Sequence, residues 1–125
     1  MITINFVIIC ESAIIEKDTN NLYILGSFGN IFVPGVPALQ PSFAVVTNFK
    51  GGDGVYKHRI LIKHEAGDEI VRLDGKITFA SGQNAQYIGK FIGLRFPKLG
   101  KYYVEIYIDE TLQPLVGELN VILRK

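Results

Sequence analysis

The octapeptide YYVEIYID, residues 102–109, alternates apolar and polar side chains with a period of two. Because successive side chains of a strand point to opposite faces of a sheet, this alternation predicts a strand with one face in a core. Similar short runs separated by turn residues fill the rest of the chain, and helical periodicity is almost absent. The order of about eight such runs predicts an all-β fold, an antiparallel Greek-key β-sandwich of immunoglobulin-like or C2-like type.

Length and composition predict one domain, residues 1–125, with a single core. The chain is 48% hydrophobic and 20% charged, so it has enough apolar surface to fold without disulfides or metal ions. The first run, ITINFVIICESAII, is apolar on both faces, which predicts either a strand buried on both sides or one that bends between two sheets. KGGDGV is expected to form a hairpin turn. In AQYIGKFIGLRF, residues 85–96, Ile88, Ile92, Leu94 and Phe96 are expected to share one face, and the opposite Gly89 and Gly93 predict a bulge or the close approach of another backbone.

Residues 29–42, GNIFVPGVPALQPS, interrupt this pattern. Three prolines and two glycines exclude a regular central strand and predict a long loop. The loop is unusually apolar, and irregular segments usually run over the surface and carry function. It is therefore expected to be either a contact surface or a lid over the open end of the sandwich, with the apolar residues Ile31, Phe32, Val33, Val36 and Leu39.

The sequence LGKYYV places Tyr102 two residues after Gly100, at the start of a late strand. In many Greek-key sandwiches a tyrosine at this place bonds through its hydroxyl to the backbone of the preceding connection. Tyr102 is therefore either such a tyrosine corner or an ordinary core tyrosine. Val104 and Ile106 are expected to face inward after it, as are Leu119, Val121 and Leu123 in the last run.

Candidate catalytic or metal-binding groups are few. Cys10 is the only cysteine and lies in an apolar run, which favours a buried, inert thiol over a nucleophile. His58 and His64 share one face of a strand but stand roughly 20 Å apart, too far to bind one metal ion together. Solvated or edge-strand histidines are the expectation, although either one could meet Cys10 or a carboxylate from another strand.

The acidic turn residues Asp68, Glu69 and Asp74 could suggest calcium, but three scattered carboxylates in turns are more typical of solvated side chains. GGDG lacks the Gly-Lys-Ser/Thr of a phosphate loop, and no nucleophile elbow or dinucleotide motif is present. The sequence therefore predicts no catalytic residue, no metal and no cofactor.

Charge and hydropathy bear on partners and location. The formal net charge is +1, which gives no sign of a basic face for nucleic acid or anionic membranes. No apolar run reaches the 18 or so residues that cross a bilayer, and the first residues lack the basic region of a signal peptide. A cytoplasmic protein is expected.

Two tyrosines, Tyr103 and Tyr107, are expected on the face opposite the core. Tyr87 and Phe91 have the same placement on the neighbouring run, so adjacent strands would form a flat aromatic patch that could stack sugar rings or receive a protein. The alternative is that both faces of this sheet are covered.

The order of several segments resembles a family of small bacterial and bacteriophage-associated β-sandwich proteins of uncharacterised function. These segments are LRFPKLGKYYVEIYID, GELNVIL and IICESAIIEKDTNNLYILGSFGNIFVPGVPALQPSFAVV. The resemblance implies the sandwich fold and transfers no catalytic residue.

Three functions follow as hypotheses. The first is a non-enzymatic interaction or accessory module that contacts a protein partner, or another copy of itself, through residues 29–42 and the nearby aromatic residues. The alternative is carbohydrate binding on the aromatic face through Tyr103 and Tyr107. A minor third hypothesis is an enzyme that uses Cys10 or a histidine. The small-molecule ligand, if there is one, is unknown.

Overall fold

Ten strands form two sheets that pack face to face as a β-sandwich in the computed structural model, which describes residues 2–124. The strands are β1 (Thr3–Ile15), β2 (Leu22–Ser27), β3 (Asn30–Val33), β4 (Ala38–Lys50), β5 (Gly54–His64), β6 (Glu69–Phe79), β7 (Ala85–Phe96), β8 (Gly100–Ile108), β9 (Thr111–Leu112) and β10 (Gly117–Leu123). One sheet has the order β2-β1-β4-β7, and the other has the order β3-β10-β8-β5-β6, with β9 paired to β8. The predicted all-β sandwich is confirmed, with ten strands rather than about eight.

The core lies between the sheets and follows the period-two pattern. In β8, Tyr102, Val104 and Ile106 are fully buried, as the alternation predicted. Phe43 and Phe91 of the opposite sheet stack with ring centroids 5.1 Å apart. Each large apolar side chain buried in this way contributes about 1.5–3 kcal/mol relative to an exposed one.

The first strand is apolar on both faces because each face is covered. Ile9 points into the main core, whereas Cys10 points away from it and belongs to a second buried cluster with Ala13, Ala44 and Val46. Register explains this difference, since Ile9 pairs with Val45 and Cys10 pairs with Ala44. β1 stays in one sheet throughout, so it does not bend between two sheets, and it is buried on both faces only around Ile9 and Cys10, since Ile14 and Ile15 are exposed.

The expectation of a long irregular loop at residues 29–42 is wrong. Residues 30–33 form β3, which pairs in parallel with β10, and residues 38–42 already belong to β4. Pro34 and Pro37 lie in the short crossing between the two sheets, where no ladder hydrogen bond is needed. Pro41 lies inside β4 opposite Gly93, whose φ of 69° marks an irregular point in the pair. The parallel β3–β10 pair also departs from a purely antiparallel sandwich.

KGGDGV connects β4 of one sheet to β5 of the other, so the expected hairpin is wrong. Gly52 allows this crossing because a Cβ there would lie 2.7 Å from the Phe79 ring. At Gly89 the expected close approach comes from a side chain rather than a backbone, since a Cβ would lie 2.5 Å from Ile60 Cδ1.

The shared face expected for the apolar residues of β7 is also wrong. Ile92 is exposed, whereas Phe96 is fully buried in the main core. Odd-numbered residues of β7 point inward before Gly93, and even-numbered residues point inward after it. The left-handed backbone of Gly93 interrupts the regular alternation.

Tyr102 forms the predicted tyrosine corner. Its hydroxyl donates to the Lys98 carbonyl at 2.7 Å and accepts from the Lys98 N–H at 3.1 Å. In β10, Leu119 and Val121 are buried as predicted. Leu123 is exposed, so the burial expected for it is wrong, although it pairs with the buried Val33 of β3 at the end of the strand.

Candidate protein-interaction surfaces

Residues 30–33 divide their side chains between the core and solvent. Val33 is buried and Ile31 packs partly against the main core, while Phe32 between them is 54% exposed. Because side chains alternate along a strand, one face of this segment covers the core and the other is exposed to solvent.

Phe32 has apolar neighbours on the outer side of this edge. Its register partner on β10 is Ile122, which is also exposed, and Val36 is exposed in the crossing that follows β3. We call Phe32, Val36 and Ile122 the β3 surface. Leu39 is exposed too, but it lies on β4 of the other sheet, opposite Arg95.

The aromatic patch expected from four rings is wrong. Tyr87 and Phe91 lie on β7 and Tyr103 and Tyr107 on β8, and these consecutive strands belong to different sheets. Phe91 is buried, and the Tyr87 ring stacks on His58 inside the sandwich with centroids 4.0 Å apart.

Tyr103 and Tyr107 are half-buried on the outer face of the six-stranded sheet. The Tyr107 hydroxyl donates to Glu105 Oε1 at 3.1 Å, and Lys63 Nζ lies 3.1 Å from Glu105 Oε2. Desolvation, together with this carboxylate, raises the pKa of Tyr107. The two rings therefore lie beside the Lys63–Glu105 ion pair. Of the four rings that suggested carbohydrate binding, only Tyr103 and Tyr107 share this face.

A cleft of about 260 Å³ opens beside Tyr107. Arg59 lies in its wall, with Nε 2.6 Å from Asp74 Oδ1 and a terminal nitrogen 3.8 Å from Glu110 Oε1. Asp74 raises the pKa of Arg59 by accepting its hydrogen bond. The charges in this cleft are thus paired with one another. Sequence reasoning missed the cleft because Arg59 and Asp74 become neighbours only through the β5–β6 register.

Both histidines lie in the interior, so the expectation of solvated or edge-strand histidines is wrong. β5 is flanked by β6 and β8, and its inward face carries His58, which is 1% exposed, and His64, which is 8% exposed. His58 Nε2 is 2.9 Å from Thr47 Oγ1, and burial lowers the His58 pKa to about 4. Within residues 2–124, the Nδ1 atom of His58 has no hydrogen-bond partner.

Cys10 is fully buried, as predicted, and burial raises the pKa of its thiol. It lies in the small outer cluster of the four-stranded sheet, whereas both histidines are in the main interior. Of the three acidic residues expected in turns, Glu69 and Asp74 lie in β6 instead. Each of the three pairs with a separate base: Asp68 with Lys98 at 2.7 Å, Glu69 with Arg72 at 3.1 Å and Asp74 with Arg59 at 2.6 Å. Among residues 2–124, no three His, Cys, Asp or Glu side chains converge on a common point.

Comparison with known proteins places the chain in a family. The sequence model of that family matches residues 5–120, nearly the whole chain. The chain belongs to DUF6941, a family of unknown function. This confirms the resemblance to an uncharacterised family. No curated protein matches the sequence.

In this DUF6941 chain, the part that the structure describes contains no helix able to span a membrane. Some of its exposed apolar side chains lie at sheet edges, and one such group was not predicted. Ile14, Tyr23 and Leu25 are exposed on the β1–β2 hairpin, and Leu25 is 58% exposed. The available signal was the absence of charge and proline from LYILGS, which sequence reasoning treated only as a strand.

Proposed function

We propose that this protein is a non-enzymatic protein-interaction module that binds a protein partner through the β3 surface. The observation that carries the proposal is the outward Phe32 on a sheet edge, with exposed Ile122 directly beside it. Aromatic side chains at the centre of a small apolar surface are the usual anchors of protein interfaces.

The strand that presents Phe32 supports this role. β3 pairs with β10 on one side only, and Gly29 and Val33 direct their carbonyls toward β10, where they accept from Asn120 and Arg124. In a parallel ladder every second residue directs its N–H and carbonyl to the same neighbouring strand, so Gly29, Ile31 and Val33 face β10 and the residues that alternate with them face away. The Phe32 N–H and carbonyl therefore point toward solvent, where an extended segment of a partner could pair.

Several features support a role without catalysis. Cys10 is buried apart from both histidines, and the His64 ring nitrogens lie beside main-chain groups, Leu99 O at 2.9 Å and the Ala66 N–H at 3.1 Å. A nucleophile and base would instead need mutual hydrogen-bond reach. The single cysteine is consistent with a reducing compartment, and we propose a cytoplasmic module.

The test measures binding to the proteins encoded beside this gene, each purified and titrated separately. Phe32→Ser and Val36→Ser should weaken binding to the cognate partner at least tenfold. Ile92→Ser is the matched control, because Ile92 is the most exposed large apolar residue, at 85%, and lies on the other sheet. All variants should keep the wild-type circular dichroism spectrum. Equal binding by the Phe32 and Ile92 variants would refute the β3 surface as the interface.

A further inference from the structure

The edge strand β2 differs from the other edges of the sandwich. β6 carries Arg72, Asp74 and Lys76, β7 carries Lys90 and Arg95, and β3 is only four residues long. Such charges are the usual means by which proteins prevent edge pairing, and the short β3 offers little more than the main-chain groups of Phe32. β2 has six residues, LYILGS, without a charge or a proline. Within residues 2–124 it pairs with β1 alone.

The backbone of β2 presents free hydrogen-bonding groups to solvent. The Glu16 N–H donates to the Asn21 carbonyl at 2.9 Å, which fixes this pair as the first hydrogen-bonded pair of the hairpin. Hydrogen-bonded pairs alternate along an antiparallel ladder, so Tyr23 bonds to Ile14 while Leu22 and Ile24 point their N–H and carbonyl groups away from β1.

The side chains of β2 alternate between a face that packs against the sheet and a face that is exposed. Leu22 and Ile24 pack against the small cluster around Cys10, which fixes the strand to the sheet. Tyr23 and Leu25 point to the other face, and both are exposed together with Ile14, the register partner of Tyr23. The edge is thus rigid, apolar and unpaired.

We propose that a second copy of this chain binds here, with the two β2 strands antiparallel about a two-fold axis at Tyr23. Leu22 of each copy then opposes Ile24 of the other, and these two pairs exchange four main-chain hydrogen bonds. The two Tyr23 rings face each other as a cross-strand aromatic pair. The two four-stranded sheets become one continuous sheet of eight strands.

The absence of charge on β2 favours a second copy of the chain as the occupant. A two-fold axis brings identical residues near one another, so an edge with charges at its centre opposes like charges. β6, with Asp74 near its middle, would do so, whereas β2 has no charge to oppose. The Tyr23 hydroxyl donates to the exposed Glu16 carboxylate at 3.3 Å in each copy, so added salt should strengthen the pairing slightly by screening these two like charges.

The contact area sets the expected strength. Six residues of strand extend about 20 Å, and a strip of that length buries roughly 400–500 Å² per copy, below the 800 Å² or so of a standard interface. We therefore infer a reversible dimer with a dissociation constant in the micromolar range rather than an obligate one.

The test is sedimentation equilibrium of the full chain over a concentration series. The wild type should shift from monomer to dimer, and Tyr23→Lys should weaken the dimer at least tenfold by placing two lysines face to face. Leu25→Lys is a second variant on the same face, and Ile92→Lys is the matched control on the opposite edge of the same sheet. A wild type that stays monomeric, or a dimer unaffected by both β2 variants, would overturn the proposal.

Cross-linking tests the register. With a mild oxidant, Tyr23→Cys should form a disulfide-linked dimer, because non-hydrogen-bonded partners have Cα atoms about 4.5 Å apart. Ile92→Cys should stay monomeric, and the buried Cys10 should remain silent in both variants. Equal cross-linking of the two variants would contradict the proposed axis. Phe32→Ser should leave this dimer intact, so failure of the β3 surface and failure of the β2 pairing can be told apart.

Discussion

β5 contains two histidines on its inward face, His64 at its C-terminal end and His58 in its N-terminal half, which we call the His58 end, and their surroundings differ. His64 Nε2 lies 2.9 Å from the Leu99 carbonyl, and its Nδ1 accepts from the Ala66 N–H at 3.1 Å. His58 contacts Thr47 through Nε2 and is otherwise enclosed by the rings of Tyr87 and Phe49. His64 thus forms hydrogen bonds to two connecting segments, whereas His58 mainly packs against aromatic rings.

This difference shows that burial alone does not define the role of a polar side chain. At the His64 end, polar bonds link several connections: the Glu65 carboxylate accepts from the Lys101 N–H at 2.8 Å, and Tyr102 holds Lys98. At the His58 end the ring contacts Thr47, Tyr87 and Phe49, none of them charged, and burial disfavours an imidazolium ion there. The consequences are opposite: protonation should disrupt the His58 end, and loss of hydrogen bonds should disrupt the His64 end.

The largest expected effect is a loss of stability in acid caused by His58. Its pKa is about 4 in the folded protein, against about 6.5 in an unfolded chain. Between these values the unfolded state binds a proton that the folded state does not, so stability falls as pH falls from 6.5 to 4. The expected loss is about 3 kcal/mol in the free energy of unfolding, measured by urea denaturation at several pH values.

His58→Phe is the variant that isolates this effect. Phenylalanine keeps a ring against Tyr87 and cannot be protonated, so the stability of this variant should vary less over the same pH range by that amount. A wild type and variant with parallel pH profiles would show that His58 is not the group responsible.

The second prediction compares the two histidines at neutral pH. His64→Phe should lower the free energy of unfolding by about 2 kcal/mol, because the Leu99 carbonyl and the Ala66 N–H both lose their partner. His58→Phe should cost less, since only the Thr47 hydroxyl loses a bond and the unpartnered Nδ1 is removed. A larger cost for His58→Phe than for His64→Phe would reverse the comparison.

The third prediction concerns the tyrosine corner beside His64. Tyr102→Phe removes two hydrogen bonds to the Lys98 backbone and should cost about 1–2 kcal/mol. Tyr23→Phe is the control, because its hydroxyl makes only a 3.3 Å hydrogen bond to the exposed Glu16. Urea unfolding of both variants checks the result, and equal midpoints would mean that the corner contributes nothing measurable.

Sequence alone predicted what depends on local alternation. Most of the strands and the inward residues of β8 followed from period two. The Gly-x-Tyr pattern gave the observed bonding of Tyr102 as one of two alternatives. Burial of Cys10 followed in the same way from its apolar run.

The errors arose where non-local pairing decides the outcome. The patch of four rings depended on β7 and β8 being adjacent in one sheet, yet the turn between them crosses to the other sheet, and Phe91 points inward. Both histidines were placed in solvent because nothing local shows that β5 is an interior strand. The β2 edge was missed for the same reason. A strand is an edge only if no other strand pairs with its outer side, and the local sequence does not show this.

The smallest expected effect has the opposite sign and lies at the His58 end, in the tight turn from β8 to β9. Asp109 and Glu110 both have left-handed backbone, with φ of 45° and 69°. Glu110→Gly should stabilise the protein by about 0.5–1 kcal/mol, since glycine adopts this conformation without steric cost and the exposed 3.8 Å contact of Glu110 with Arg59 contributes little. Asp109→Gly is the matched control: the Asp109 carboxylate accepts from the Lys57 N–H at 2.8 Å, so losing that bond should cancel the gain. If both variants were equally stabilised, the Asp109 bond to β5 would add nothing, and the His58 end would be held by its ring contacts alone.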